Sequence, residues 1–181
     1  MKEDWNILQI LRHSRHDWLN FVQLIKGNLA LKKYDRIEEI IQEIVNQTQQ
    51  ESKLSNLHIP QLASELLVFN WEKNNLFQLE FEVLGPTKNL EAFEETLLHW
   101  FLDLANLLNT SCQQFAENHL LITIEVFDED SLRINFDFHG FLLEVNTIKK
   151  FVENESSRNE QMELVEFYIN NEEFYLVLKL M

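Results

Sequence analysis

The chain has 181 residues, of which 45% are hydrophobic, and a formal net charge of −15 at pH 7. This hydrophobic share is typical of one globular domain, or of a small domain with a helical element, and excludes a disordered chain. Its apolar runs are too short for a transmembrane helix and its N-terminus is unlike a signal peptide, so we expect a cytoplasmic protein without membrane association.

The net negative charge comes entirely from the second part of the chain. Residues 1–58 hold 8 Lys and Arg against 8 Asp and Glu, whereas residues 59–181 hold 7 against 22. An acidic surface repels phosphate groups, which argues against binding to nucleic acid or to an anionic membrane. We predict two domains, a helical hairpin over residues 1–58 and an α/β domain over residues 59–181.

The first domain begins with a long helix over about residues 4–32. Its apolar residues recur at helical spacing; they are Leu8, Leu11, Trp18, Val22, Ile25 and Leu29. The run Asp35-Arg-Ile-Glu38 is typical of a capping box and predicts a second helix that continues to about Asn56. Each helix has an apolar stripe that a hairpin alone cannot bury, so we predict a homodimer in which two hairpins form a four-helix bundle.

The second domain is predicted to be a sheet packed against helices, so the fold class is α+β. Its predicted elements are a helix at 60–74, a strand at 77–83, a helix at 89–116, strands at 122–126 and 134–138 joined by a turn at 128–130, and strands at 163–169 and 174–180 joined at 170–171. Cys112 lies in an apolar helical pattern and is expected to be a small buried hydrophobe.

Six consecutive polar residues, from Arg12 to Asp17, interrupt the first helix. Because a helix turns once in about 3.6 residues, this tract breaks the apolar stripe on every side, including the side meant for the core. Arg15 occupies a slot within the stripe, whereas His16 points about 140° away from it and should face water. A sequence that breaks its own pattern often does so at a functional site.

An imidazole that faces water is largely uncharged at neutral pH and can accept a phosphoryl group on a ring nitrogen. Phosphoryl transfer needs mainly positioning and stabilisation of charge, which Arg12 or Arg15 would supply. Asp17 would orient the ring or modulate its basicity, and Asn20, one turn further on, would hydrogen-bond a water or the partner. His16 is therefore the predicted catalytic residue.

Four other interpretations of the tract stay open. His16 is an ordinary surface residue, or His13, His16 and Asp17 bind a metal ion. Alternatively, Arg15 sets the register of the helices through a buried ion pair, or the whole tract is a docking surface without chemistry.

The sequence around His16 also matches a known pattern. The run from Arg15 to Asn20, followed by residues 23–28 and 34–35, resembles the dimerisation and phosphoacceptor helix of the sporulation initiation phosphotransferase B family, the histidine phosphotransferases of the sporulation phosphorelay. Residues 51–57 and 137–140 resemble that family as well, and citrate-sensor-type histidine kinases have a weaker form of the first motif. The resemblance implies that His16 is phosphorylated, that Arg15, Asp17 and Asn20 are its motif neighbours, and that the second domain is a degenerate histidine-kinase ATP-binding domain.

The glycine content argues against ATP binding by that domain. The ATP lid and base pocket of a histidine kinase need two glycine-rich boxes, because the backbone approaches the nucleotide closely there. This chain has three glycines, Gly27, Gly85 and Gly140, and only Gly140 stands where the resemblance places a box. The resemblance places the asparagine box of a histidine kinase at residues 106–110, where a threonine replaces the second, Mg²⁺-binding asparagine. Asp137 stands at the position expected to contact adenine.

We predict a phosphorelay phosphotransferase that moves a phosphoryl group from the aspartate of one response regulator to His16, and on to the aspartate of a second, to initiate sporulation. The expected partners are a second copy of the chain and two receiver domains, which would dock on His13, Phe21, Leu24 and Gly27. The chain would bind no metal or cofactor, and Mg²⁺ would come with the receiver. The alternatives are a sensor histidine kinase core that autophosphorylates His16 from ATP and a non-catalytic adaptor for a response regulator.

Overall fold

The computed structural model describes residues 5–127, 132–158 and 161–180, without the side chains of 155–158. The chain divides into two compact units, Met1–Ser52 and Lys53–Met181. The second unit begins earlier than the predicted domain boundary because the residues around position 55 belong to its core. Leu54 and Leu57 are fully buried there, and Lys53 Nζ donates a hydrogen bond of 2.9 Å to the carbonyl oxygen of Val83.

The first unit contains the two predicted helices, α1 (Ile7–Ala30) and α2 (Tyr34–Ser55). A capping box begins α1, since Asn6 and Gln9 each accept a hydrogen bond of 3.0 Å from the other's backbone N–H. The predicted capping box at Asp35 is wrong, because α2 begins one residue earlier and Asp35 lies in its first turn. A carboxylate in that position still interacts favourably with the helix dipole.

The apolar stripe of α1 is not buried within a single chain. None of the residues that the structure describes in this helix is buried. Leu8 is 76% exposed, and Trp18, Val22 and Leu29 are each 55% exposed. Arg15, in the stripe, is exposed as well.

The second unit is a mixed sheet with helices, which confirms the α+β fold class. Its elements are α3 (Pro60–Val68), a 3-10 helix (Phe69–Trp71), β1 (Gln78–Leu84), a 3-10 helix (Glu91–Phe93), α4 (Glu94–Ser111), β2 (His119–Val126), β3 (Leu132–His139), α5 (Val145–Arg158), β4 (Met162–Ile169) and β5 (Glu173–Leu180). The sheet has the order β1-β2-β3-β5-β4. β1 pairs in parallel with β2, and the other neighbours pair antiparallel.

All five predicted strands are confirmed, but the helices differ from their predicted bounds. The helix predicted over 60–74 ends at Val68, and the one predicted over 89–116 covers only Glu94–Ser111. α4 ends there because Cys112 is extended and forms an isolated antiparallel bridge with Leu142. Helix α5 was not predicted, and the predicted turn at 128–130 lies outside the described residues.

The core of this unit lies between the helices and one face of the sheet. Side chains in β2 and β3 alternate between buried and partly exposed positions, as expected for strands with one covered face. The ring of Trp100 on α4 lies 4.7 Å from Phe136 on β3 and 5.5 Å from Phe151 on α5. Cys112 is buried, as predicted.

Candidate functional site

His16 lies near the middle of α1 and its side chain is 70% exposed, as the helical periodicity predicts. Asp17 Oδ1 is 3.3 Å from His16 Nδ1, and Asn20 Nδ2 is 3.2 Å from the same nitrogen. Asn20 reaches the ring because residues four apart are neighbours on a helix surface. The other ring nitrogen, Nε2, has no hydrogen-bond partner within the described part of the chain. The contacts therefore engage one nitrogen and leave the other open.

The two contacts favour different tautomers of the ring. Asp17 can only accept a hydrogen bond, so it favours the tautomer with the proton on Nδ1, whereas the amide nitrogen of Asn20 can only donate and favours an unprotonated Nδ1. A carboxylate is the stronger partner because its hydrogen bond is charge-assisted. In the tautomer that Asp17 favours, the lone pair is on Nε2, which makes Nε2 the nucleophilic atom.

The other predicted site residues on this helix lie in different surroundings. Arg12 and Arg15 are exposed, and neither has an ion-pair partner among the residues that the structure describes. His13 is half-buried and its ring makes an edge contact with Trp5 at 5.1 Å between centroids. This contact was not predicted, although Trp5 directly precedes the N-cap, where an apolar side chain often folds back onto the helix.

Beyond His16, the residues predicted for docking are accessible to different extents. Leu24 is 53% exposed, whereas Phe21 is half-buried and makes an edge contact with Trp18 at 6.4 Å. At Gly27 a Cβ atom would meet no heavy atom within 4 Å. Packing of this chain alone therefore does not require a glycine here, although glycine costs a helix about 1 kcal/mol relative to alanine.

Asp137, which the resemblance places at an adenine-contacting position, lies on the less buried face of β3. Its neighbours Phe136 and Phe138 are 3% and 0% exposed, and Phe136 packs against Trp100 of α4. Because successive side chains of a strand point to opposite faces, Asp137 lies on the face away from α4. There its Oδ1 is 3.2 Å from His139 Nε2.

Gly140 and Asn109 also have structural roles. A Cβ at Gly140 would clash with the side chain of Asn118 and the ring of Phe138, so the close approach of these groups requires glycine. Asn109 Oδ1 accepts a hydrogen bond of 2.8 Å from the N–H of Leu76, and its Nδ2 donates one of 2.9 Å to Asn75. Both residues therefore stabilise the fold of this unit.

A cavity of about 1010 Å³ lies in the second unit, lined by residues 73–78, residues 114–119 and His139. Its histidines have acidic neighbours, since His119 Nε2 is 3.3 Å from Glu80 Oε1 and His139 is beside Asp137. Across residues 5–127, 132–158 and 161–180, no group of three His, Cys, Asp or Glu residues could hold a metal ion. In the same ranges, no helix is both long and apolar enough to cross a membrane.

Two family models match adjacent parts of the chain. Residues 1–57 match the alpha-helical domain described as Sensor_kinase_SpoOB-type, and residues 58–181 match the C-terminal domain of sporulation initiation phospho-transferase B. The chain belongs to the sporulation initiation phosphotransferase B family. The resemblance read from the residues around His16 is thereby confirmed at the level of the family.

A relative and two solved structures can be compared with this family member. Sporulation initiation phosphotransferase B of Bacillus subtilis (strain 168) is 45% identical over 135 residues, which are 74% of this chain and 70% of the relative. The blue-light activated histidine kinase of Erythrobacter litoralis EL346 has 14% identity and a TM-score of 0.46 over 99% of this chain and 61% of its own. Histidine kinase ThkA, in complex with the response regulator protein TrrA, has 13% identity and a TM-score of 0.44, and the match covers 95% of this chain and 60% of that chain.

Proposed function

We propose that this chain is a phosphorelay phosphotransferase of the sporulation pathway, in which His16 carries the phosphoryl group between two response regulators. The observation that carries the proposal is the exposed His16 ring, whose Nδ1 is engaged by Asp17 and Asn20 while Nε2 is open. Membership of a family of phosphotransferases supports the reaction class. A chain that exchanges phosphoryl groups with response regulators works in the cytoplasm.

The transfer step follows from the tautomer that Asp17 favours. The lone pair of His16 Nε2 attacks the phosphorus of a phosphoaspartate, the new N–P bond forms, and the P–O bond to the aspartate carboxylate breaks. The carboxylate leaves with the bonding electron pair. The imidazole becomes positively charged, and the Asp17 carboxylate stabilises this charge through the proton on Nδ1. The second transfer reverses these bond changes on the aspartate of the next regulator.

The other predicted site residues of α1 would supply positive charge or contact a receiver domain. Arg12 and Arg15 are exposed cations within one turn of His16, and a cation near the transferring group stabilises the charge of its equatorial oxygens. Leu24 and the open space at Gly27 would accept the backbone of a receiver domain, and Phe21 and His13 would extend this docking surface toward the N-terminus of α1. The Mg²⁺ that such transfers use would be held by the receiver's acidic residues.

The active form would be a homodimer. The stripe of α1 leaves Leu8, Trp18, Val22 and Leu29 more than half exposed in one chain. Burying a large aliphatic or aromatic side chain contributes roughly 1.5–3 kcal/mol, so pairing with a second hairpin is favourable. A four-helix bundle formed by two hairpins buries these residues and leaves His16 on the outside.

The phosphoryl group would come from a receiver and not from ATP. Phe138 is fully buried and stacks on Phe174 with ring centroids 5.2 Å apart. This pair fills the covered face of the sheet beside Gly140, and Asp137 lies on the opposite face. The second unit would therefore not bind a nucleotide.

The test offers the purified full chain two phosphoryl donors, radiolabelled ATP and a receiver domain labelled on its aspartate. We expect acid-labile label on the chain from the receiver alone, and none after the substitution His16→Gln. His99→Gln is the matched control, because His99 is an exposed helical histidine in the second unit. Label from ATP would instead make the chain a kinase. Receiver binding without label would make it an adaptor.

A further inference from the structure

Three large apolar side chains are exposed on two hydrogen-bonded segments of the second unit, residues 111–115 and 141–143. Phe115 is fully exposed, Leu143 is 63% exposed and Phe141 is 50% exposed. We name these three residues the Phe115 surface. It belongs to the acidic part of the chain and contains none of the residues assigned to phosphoryl transfer.

The backbone of Phe115 has an unusual conformation. Its φ angle is +63°, in the left-handed region that residues other than glycine and asparagine rarely adopt. A phenylalanine at this position gains nothing from burial within this chain and adds backbone strain. Glycine would adopt the same backbone conformation without that strain. Strained backbone conformations are concentrated at functional sites, where an interaction compensates for the strain.

The segments that carry the surface are held in place by backbone hydrogen bonds. The N–H of Gln113 donates to the carbonyl oxygen of Phe141 at 2.8 Å, and the N–H of Leu143 donates to Ser111 at 2.7 Å. Leu142, between the two exposed residues, is only 2% exposed. Because side chains alternate along an extended segment, Phe141 and Leu143 point to the same side, away from the core. The exposed residues therefore stand on a defined scaffold.

Three acidic residues lie beside the segments that carry this surface. Glu117, Glu144 and Glu172 are exposed and lie next to its segments, and the N–H of Gly140 donates to the Glu172 carbonyl oxygen at 2.8 Å. Residues 59–181 hold 22 acidic against 7 basic residues. A partner that covers the apolar residues must therefore bring positive charge to the rim.

We propose that the Phe115 surface docks a partner protein segment in which apolar side chains alternate with Lys or Arg. Phe115 is the central anchor, since exposed aromatic residues that become buried on binding contribute most of the affinity of an interface. The three carboxylates select the basic residues of the partner. This interaction is independent of phosphoryl transfer by His16.

The test uses the full chain and a fluorescent synthetic peptide in which Lys alternates with Leu and Phe. We expect saturable binding by fluorescence anisotropy, weakened by salt because charge contributes to it. Two control peptides replace either every Lys by Glu or every Leu and Phe by Ser, and both should fail to bind. Amide NMR shifts on binding should be confined to residues 113–117, residues 140–144 and the neighbourhood of Glu172.

The variant Phe115→Gly should lower the affinity about tenfold or more without lowering the melting temperature, because the residue has no packing to lose. Phe127→Ser is the matched control, since Phe127 is also exposed, at 47%, and lies at the other end of β2. Unchanged affinity of Phe115→Gly, an equal loss in Phe127→Ser, or binding of the Glu peptide would each overturn the proposal.

Discussion

Asn20 Nδ2 lies 3.2 Å from His16 Nδ1, one helical turn further along α1. Asp17 Oδ1 meets the same nitrogen at 3.3 Å. A donor and an acceptor thus compete for one ring atom, and the tautomer of His16 depends on which contact is the hydrogen bond. The side chains beside the histidine therefore influence which nitrogen carries the proton.

Replacing Asp17 by Asn should slow transfer to His16 about tenfold, because a charge-assisted hydrogen bond to Nδ1 is lost. The ring should also shift toward the tautomer with its proton on Nε2, which ¹⁵N NMR of the imidazole detects. Removing the competing donor by Asn20→Ala should shift the tautomer in the opposite direction. An identical tautomer ratio in both variants would contradict this role.

Replacing Gly27 by Ala should stabilise α1 by about 1 kcal/mol, since no heavy atom lies within 4 Å of the added Cβ. A higher melting temperature should accompany weaker binding of a receiver domain, because the methyl group keeps the receiver backbone away. Calorimetry and a binding titration measure the two effects. Receiver affinity equal to that of the unaltered chain would remove Gly27 from the docking surface.

The substitution Val22→Glu should convert the proposed homodimer to a monomer. Val22 belongs to the exposed apolar stripe, and a carboxylate there would be buried without a partner at the centre of the bundle. Analytical ultracentrifugation measures the change in mass. Gln23→Glu adds the same charge one residue away from the stripe and should leave the dimer intact, and dissociation of both variants would disprove the bundle.

Asn118→Ala should lower the free energy of unfolding of the second unit by about 2–3 kcal/mol. Asn118 is 4% exposed, its Oδ1 accepts from the N–H of Phe141 at 2.8 Å, and its Nδ2 donates to the carbonyl oxygens of Leu76 at 2.8 Å and Gln113 at 3.0 Å. Urea unfolding should show a lower midpoint with an unchanged slope. The exposed Asn106 of α4 offers a control, since Asn106→Ala should change stability by under about 0.5 kcal/mol.

Cys112 should make the stability of the second unit fall at alkaline pH. Burial raises the pKa of its thiol from the ordinary 9.0 to about 12. At a pH between these two pKa values, the thiol is deprotonated in the unfolded chain and protonated in the folded chain. The Cys112 contribution is therefore complete below pH 9 and declines by at most about 1.4 kcal/mol per pH unit above it. Urea midpoints of the unaltered chain and of Cys112→Ala, measured at about pH 8 and about pH 10, isolate this contribution. A difference between the two midpoints that is the same at both pH values would refute it.

The local features of the hairpin could be predicted from the sequence. Helical spacing alone places His16 opposite the apolar stripe. Asn20 was expected to hydrogen-bond a water or the partner, and instead it contacts the His16 ring one turn away. The strands were also predictable, because alternating side chains mark a sheet with one covered face. Helix ends were less predictable, since Cys112 leaves the helix to pair with Leu142, which is distant in the sequence.

The sequence by itself determined the family, the strands and an outward-facing His16, because these depend on residue identity and short-range periodicity. Only the tertiary structure decided that Asp137 points away from α4 and that Asn118 joins Leu76, Gln113 and Phe141. It also decided that Phe115, predicted to lie in a helix, is left fully exposed. Which face of a strand becomes the core, and which apolar residues find no partner, depend on contacts between distant segments, and periodicity does not contain that information.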